Sequence, residues 1–348
     1  MRLLNERFTR RGILFALPAL GLAPRMLAQA DKSSIAARKL NHVTLQVSDV
    51  QRSREFYQGL FDLALQASQG TGVTLRIGGG PHHIGLSATA ENTKPGINHY
   101  CLTVDGFNVD AILRSLAEHG VAKADTAGGD PMKAWVRTRR EESGGSKEGT
   151  PELYFTDPAG ICVQLQDTSY CGGAGALGNI CSAKPAPAPG KGRIVVRDLS
   201  HVTLAVPDRA RSIAFYQQVF GMRTQSHQGA TPILAVGAGP QFVTIAGGAA
   251  NGAAGRAAGI AHACLTMEGF HPDKVLQALA DFGVKPRGDT AGPPGPMVAW
   301  VRIRREDTGG AKDGTAELYF TDPDGITMQL QDVRYCGGAG PLGEVCRG

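Results

Sequence analysis

Four histidines sit in two matched pairs along a chain of 348 residues. Leu40-Asn41-His42-Val43-Thr44-Leu45 returns as Leu199-Ser200-His201-Val202-Thr203-Leu204, and Ile97-Asn98-His99-Tyr100-Cys101-Leu102-Thr103 as Ile260-Ala261-His262-Ala263-Cys264-Leu265-Thr266. A neutral imidazole can offer a lone pair to a metal or a proton, or it can be a hydrogen-bonded core residue. A third matched stretch runs Glu152-Leu153-Tyr154-Phe155-Thr156-Asp157-Pro158-Ala159-Gly160 and continues to Gln164. Its copy begins at Glu317, 165 residues on, and continues to Gln329. Glu152 and Glu317 lie two residues before Tyr154 and Tyr319, on the same strand face. Repeat 1 adds His82 and His83, where repeat 2 has Gln241 and Phe242.

The seven cysteines divide in the same way. Cys171 and Cys181 bracket nine residues, and so do Cys336 and Cys346, which reads as two local disulfides. Metal binding is the other reading, without a CxxC or an adjacent His to support it. Cys101, Cys162 and Cys264 are left as buried thiols.

The elements that must position these residues repeat as well. His42–Val47 alternates as a strand, and residues 49–61 have apolar residues at helical spacing with Ser48 or Asp49 as N-cap. Strands are expected near 63–68, 72–78 and 83–88. The order then recurs: strand 99–104, helix 108–119, and strands near 133–140, 152–156 and 161–166. Asp-Pro-x-Gly between the last two is a tight hairpin turn. The pattern is βαβββ, twice per repeat and four times per chain. The fold class is therefore α+β.

These paired βαβββ modules, the first-strand His and the Tyr-x-x-Asp-Pro-x-Gly turn resemble the vicinal oxygen chelate superfamily, which includes glyoxalase I, extradiol ring-cleavage dioxygenases and bleomycin resistance proteins. The resemblance implies that each pair of modules curls into a half-open β-barrel cup whose interior binds a divalent metal. It implies ligands at His42, His99 and Gln164, and at His201, His262 and Gln329. Fe(II) or Mn(II) is the expected metal, with Zn or Ni also compatible. The usual third ligand is a carboxylate, and both repeats have Gln. Tyr154 and Tyr319 match the extradiol Tyr ten residues before the third ligand, but the His that precedes it there has no counterpart in 144–149. Glu152 or Glu317 would then serve as ligand or base, or else face solvent at the rim. His83 stands where members place a fourth ligand or an acid–base His. Arg137 and Arg139 share a face with Trp135, as either a solvated face or a rim for an anionic or phenolate substrate.

Residues 1–30 read as an export signal: a basic start, an apolar run from Gly12 to Leu22, and Ala28-Gln29-Ala30 as a cleavage pattern. Thr9-Arg10-Arg11-Gly12-Ile13-Leu14 resembles a twin-arginine motif, with an ordinary secretion signal as the other reading. The domains are then 38–182 and 197–348, joined by a Pro/Ala-rich linker over 183–196. The net charge is +5, and five Arg and one Glu in the first thirty residues carry +4 of it, leaving +1. That argues against nucleic acid as a partner. The expectation is a periplasmic or secreted protein with a small-molecule ligand, no membrane span after signal removal, and an oligomer compatible with the sequence. Three functions fit: a metal-dependent dioxygenase or lyase acting on vicinal oxygens, a binding protein of the resistance type without turnover, or a vestigial pseudo-enzyme.

Overall fold

The computed structural model describes residues 34–182, 184–248, 257–288 and 292–346. The expected export signal and its twin-arginine motif lie outside them. The first repeat runs β1 (Ala37–Val47), α1 (Val50–Phe61), β2 (Ala64–Gln69), β3 (Gly72–Arg76), β4 (His83–Ala88), β5 (Gly96–Val104), α2 (Val109–Glu118), β6 (Ala122–Lys123), β7 (Lys133–Arg139), β8 (Thr150–Thr156) and β9 (Cys162–Asp167). The second follows the same order: β10 (Val196–Val206), α3 (Arg209–Phe220), β11 (Thr224–Gln228), β12 (Thr231–Ala235), β13 (Phe242–Gly247), β14 (Gly259–Met267), α4 (Pro272–Phe282), β15 (Lys285–Pro286), β16 (Val298–Arg304), β17 (Thr315–Thr321) and β18 (Thr327–Asp332).

Each repeat makes one mixed sheet of nine strands, ordered β2-β3-β4-β1-β5-β9-β8-β7-β6 and β11-β12-β13-β10-β14-β18-β17-β16-β15. The two modules of a repeat join where their first strands, β1 and β5, pair antiparallel. Neither sheet closes into a barrel. The period-two alternation assigns the faces. Val43, Leu45, Val47, Ile84, Leu86, Tyr100, Leu102, Leu153, Phe155, Val163 and Leu165 are buried in the core. Residues between them, including His42, Thr44, Gln46, His83, Gly85 and Ser87, line the concave face.

Helix α1 starts at Asp49, which accepts a hydrogen bond from the Arg52 amide at 3.0 Å. Its inward residues Phe56, Tyr57, Leu60 and Phe61 are buried. They pack against the other repeat: Phe56 is 5.7 Å from Phe282, and Phe61 is 5.8 Å from Phe320 between ring centroids. The reciprocal contact sets Phe155 6.0 Å from Phe215 and 5.9 Å from Phe220. One hydrophobic core therefore runs through both repeats.

The Asp-Pro-x-Gly turns form as expected, with Gly160 at φ +83° and Gly325 at φ +81°, a conformation other residues adopt only under strain. Each turn Asp also ties the repeats together. Asp157 accepts from its own turn amides at Ala159 and Ile161 and from Tyr216 Oη at 3.1 Å, and Asp322 accepts from Tyr57 Oη at 3.1 Å. Among the described residues no helix is long and apolar enough to cross a membrane.

Both expected disulfides are present, Cys171–Cys181 and Cys336–Cys346. Cys101 and Cys264 are buried thiols, while Cys162, expected to be buried, is half-buried. Each disulfide loop reaches across the sheet. In repeat 1, Gln66 and Gln69 on β2 donate to the Cys171 and Gly172 carbonyls, and Arg139 on β7 donates to the Gly173 carbonyl. Replacing Cys171 and Cys181 with Ser is expected to destabilise the chain by about 2–3 kcal/mol, because the closed loop is short. Urea unfolding checks this; an unchanged midpoint would refute it.

Candidate functional site

The concave face of each sheet encloses a cavity, about 360 Å³ in the first repeat and about 340 Å³ in the second. β1 contributes His42, β5 His99, β9 Gln164 and β8 Tyr154. The strand register brings them together, since Thr44 lies opposite His99 and Gln164 opposite both Cys101 and Tyr154. The sequence-expected set His42, His99, Gln164, Tyr154 and His83 thus lines one cavity. His201, His262, Gln329, Tyr319 and Glu317 line the other.

The hydrogen bonds around His42 define its proton. The Asn41 side-chain amide donates to the Tyr170 carbonyl at 2.9 Å, so its oxygen faces His42 Nδ1 at 2.7 Å. Nδ1 therefore carries the hydrogen, and Nε2 is a bare lone pair. That lone pair faces Gln164 Oε1 at 3.0 Å. His99 is arranged alike: Nδ1 lies 2.7 Å from Asn98 Oδ1, and Nε2 is buried without a partner. Gln164 Nε2 is also unpartnered. In the second cup His201 Nδ1 meets Ser200 Oγ at 3.1 Å, and His201 Nε2 lies 3.3 Å from His262 Nε2. Both amide atoms of Gln329 are buried and unpartnered.

Burial keeps these rings neutral. It pushes His42 and His201 well below the usual imidazole range, aided by the neighbouring imidazoles. It lowers His99 and His262 to about 4. His83, stacked on His42 with ring centroids 4.3 Å apart, is lowered by burial to about 3. Its Nδ1 meets the Pro81 carbonyl at 3.1 Å, which leaves Nε2 as its lone pair. In the second cup Phe242 stacks on His201 at the same 4.3 Å, so that cup has no third imidazole. His82 points elsewhere, into the seam between the repeats, 3.0 Å from Lys39 Nζ and 3.3 Å from Asp198.

These depressed values set a stability window. An unfolded His takes a proton near 6.5, whereas the folded rings refuse it until about 4 or below. The metal-free protein is therefore expected to lose stability as pH falls from 6.5 towards 4, by about 1.4 kcal/mol per ring per pH unit. Asp322, raised by burial to about 6, and Asp157, also raised by burial, act in the opposite direction over part of the range and offset part of this loss. Urea midpoints at pH 7 and pH 5 measure the balance. An equal or higher midpoint at pH 5 would contradict it.

The Glu152 carboxylate is fully committed to other partners. Arg139 Nε donates to Oε1 at 2.9 Å and Tyr170 Oη to the same oxygen at 2.8 Å, while Arg137 Nε donates to Oε2 at 2.8 Å. Burial pushes its carboxyl up, but Arg137 and Arg139 together outweigh that and hold it below the usual range. Glu317 is matched by Arg304 at 2.8 Å and Tyr335 at 3.0 Å. Neither carboxylate faces solvent at a rim: Glu152 is wholly buried and Glu317 nearly so. Arg137 and Arg139 do share a face of β7, both reaching Glu152 and both lining the cup, with Arg139 buried in this network and the Arg137 side chain 55% exposed. Among the described residues no three His, Cys, Asp or Glu side chains are grouped to hold one ion. Each cup gathers two imidazoles and one amide, and the first adds the His83 imidazole stacked on His42.

A second, more open chamber of about 640 Å³ adjoins the first cup, sharing His99, Arg137 and Tyr154 and adding Trp135 and Lys94. The Trp135 ring stacks on Tyr154 at 5.7 Å, and Tyr154 meets His99 edge-on at 5.3 Å. Sequence reasoning missed Asn41 and Asn98, although an Asn precedes both repeat-1 imidazoles. It also missed Tyr170 and Tyr335, although each directly precedes a loop cysteine.

A family model described as Glyoxalase/Bleomycin resistance protein/Dioxygenase superfamily matches residues 39–165 and 198–330. No curated protein matches the sequence. Among solved structures, the Mn(II)-bound glyoxalase from Novosphingobium aromaticivorans aligns with TM-score 0.58 and 17% identity, covering 85% of this chain and 82% of that one. A halotolerant catechol dioxygenase aligns with TM-score 0.55 and 16% identity over 88% and 87%. The 2,2',3-trihydroxybiphenyl 1,2-dioxygenase from Sphingomonas wittichii strain RW1 aligns with TM-score 0.54 and 15% identity over 88% and 91%. At these identities the likeness is one of fold.

Proposed function

Because the chain belongs to the Glyoxalase/Bleomycin resistance protein/Dioxygenase superfamily, we propose that each cup holds a divalent metal and acts on a small molecule carrying two adjacent oxygens. His42, His99 and Gln164 would hold it in the first cup, and His201, His262 and Gln329 in the second. One observation carries this reading: the His42 and His99 rings meet in a buried site beside the Gln164 amide, 3.0 Å from His42 Nε2, and His99 Nε2 is buried with no protein partner. A buried polar nitrogen without a partner is costly unless a ligand satisfies it. The second cup adds support. Its two Nε2 atoms stand 3.3 Å apart, and nitrogens bound about 2.1 Å from one zinc-sized ion stand roughly 3.0–3.4 Å apart.

A bound dication would supply Lewis acidity to the substrate oxygens. The chain's own residues do the rest. Asn41 and Asn98 fix the tautomer that leaves each Nε2 free to bind. His83 offers a neutral lone pair beside the first ligand. Tyr154, its phenol kept protonated by burial, positions His99 by edge contact and forms a wall with Trp135. Fe(II) and Mn(II) suit such open, mostly nitrogen sets, and Zn or Ni fit as well. Mn(II) is the metal named for the Novosphingobium aromaticivorans glyoxalase.

Metal analysis of the purified protein tests the reading. Two equivalents per chain are expected, and no retained or rebindable Fe, Mn, Zn or Ni would overturn it. The second reading is capture without turnover. It is favoured by the Glu152 carboxylate, which is too firmly paired to act as a base. Metal-loaded protein that binds catechols or α-oxo acids yet returns them unchanged would decide for it. Export to the periplasm or medium belongs to the same proposal, resting on Arg10-Arg11 and the apolar run that follows; fractionation of expressing cells tests it.

A further inference from the structure

We propose that the cups select dianionic oxygen chelators, the ligand supplying the negative charge that the donor set lacks. This inference rests on the metal-binding reading above and adds to it the charge of the substrate. Two imidazoles and an amide contribute no charge, so a bound dication would keep its full +2. The surrounding wall adds to this. In the first cup Arg137 and Arg139 face a single carboxylate, Glu152. In the second, among the described residues, Arg302 and Arg304 pair with Glu317. Each cup is therefore one unit positive before any metal enters. At the rim of the first cup Arg140 and Glu142 cancel, and Lys94 adds a further cation to the outer chamber.

This charge is local. Beyond the first thirty residues the chain carries a formal +1 over more than 300 residues, so the cups are not samples of a generally basic surface. The positive groups also face the ligand. The Arg137 side chain is 55% exposed and lines both chambers of its cup. The Arg302 side chain is 61% exposed, lies 3.9 Å from Glu317, and lines both its cup and an adjoining cavity of about 590 Å³ that shares His262 and Tyr319. Concentrated positive charge in a half-enclosed site favours a ligand of matching charge. Two carboxylate oxygens on adjacent carbons would meet that demand, with the chelating pair on the metal and the charge shared with Arg137 or Arg302.

The test uses the metal-loaded full chain and calorimetric titration with two probes of similar shape: oxalate, a dianion, and glyoxylate, a monoanion. Metal content is measured before and after each titration. The double substitution Gln164→Glu with Gln329→Glu adds one negative charge to each cup. Oxalate affinity is expected to fall at least 10-fold and glyoxylate affinity by about 3-fold, while metal retention rises. Arg137→Gln with Arg302→Gln is expected to weaken oxalate at least 10-fold without changing metal content. If the variants hold metal and bind oxalate as the parent does, this inference fails and the metal reading stands. If the parent holds no metal, the metal reading fails and this inference falls with it.

Discussion

His99→Ala is expected to remove one of two metal equivalents from the chain and leave the other in place. His99 Nε2 is buried and has no partner in the protein. Its Nδ1 lies 2.7 Å from Asn98 Oδ1. Losing His99 leaves His42 and Gln164 as the remaining ligands of the proposed set, too few to hold an ion against water, and His83, stacked on His42, does not replace a ligand from β5. The second cup takes its proposed ligands from β10, β14 and β18 and is lined by residues of the second repeat, so it should be untouched. His262→Ala should give the mirror result, and the double variant should bind nothing. Asn98→Ala is a finer probe. It keeps the ligand but releases the tautomer, and affinity should fall roughly 10–100-fold. His82→Ala is the control, because that imidazole lies in the seam between repeats. Metal titration followed by elemental analysis reads all of these. A His99→Ala chain that still takes two equivalents would remove the first cup from the proposal.

The second large effect is on stability. Arg139→Met should cost about 3–5 kcal/mol, because it strips the buried cation from a carboxylate with no access to water. Arg139 also donates to the Gly144 and Gly173 carbonyls, so it ties β7, β8 and the disulfide loop together. Arg137→Met should cost far less, since its side chain is 55% exposed and water can replace part of its role. Pairing Arg139→Met with Glu152→Gln should recover part of the loss, because the buried charge is then gone as well. Urea unfolding of the single and double variants measures this. Equal midpoints for Arg139→Met and the parent would show that the network adds nothing to the fold.

The sequence carried the repeat, the four βαβββ units and the face on which each His lies. Those features are local: period-two alternation, a helical apolar spacing with an Asp N-cap, and a turn whose Gly takes positive φ. Cys171 and Cys181 were paired correctly for the same reason, since ten residues of separation leave them few other partners. The resemblance quoted for the Tyr-x-x-Asp-Pro-x-Gly turn led to Gln164 and Tyr154, and the register places both in the cup beside His42 and His99.

Tertiary structure decided what those side chains were free to do. Glu152 read as a ligand, a base or a rim carboxylate, and nothing in its strand separates these roles. Arg137 and Arg139 reach it across a strand pair, and Tyr170 from beyond β9. The same holds for adjacent His82 and His83, which part at the edge of β4, one to the seam and one to the cup. Phe56 and Phe155 show the limit for packing. An apolar residue in a sequence announces that it will be buried, but hydrophobic burial has no direction, so only the assembled chain shows that α1 and α3 are each covered by the other repeat.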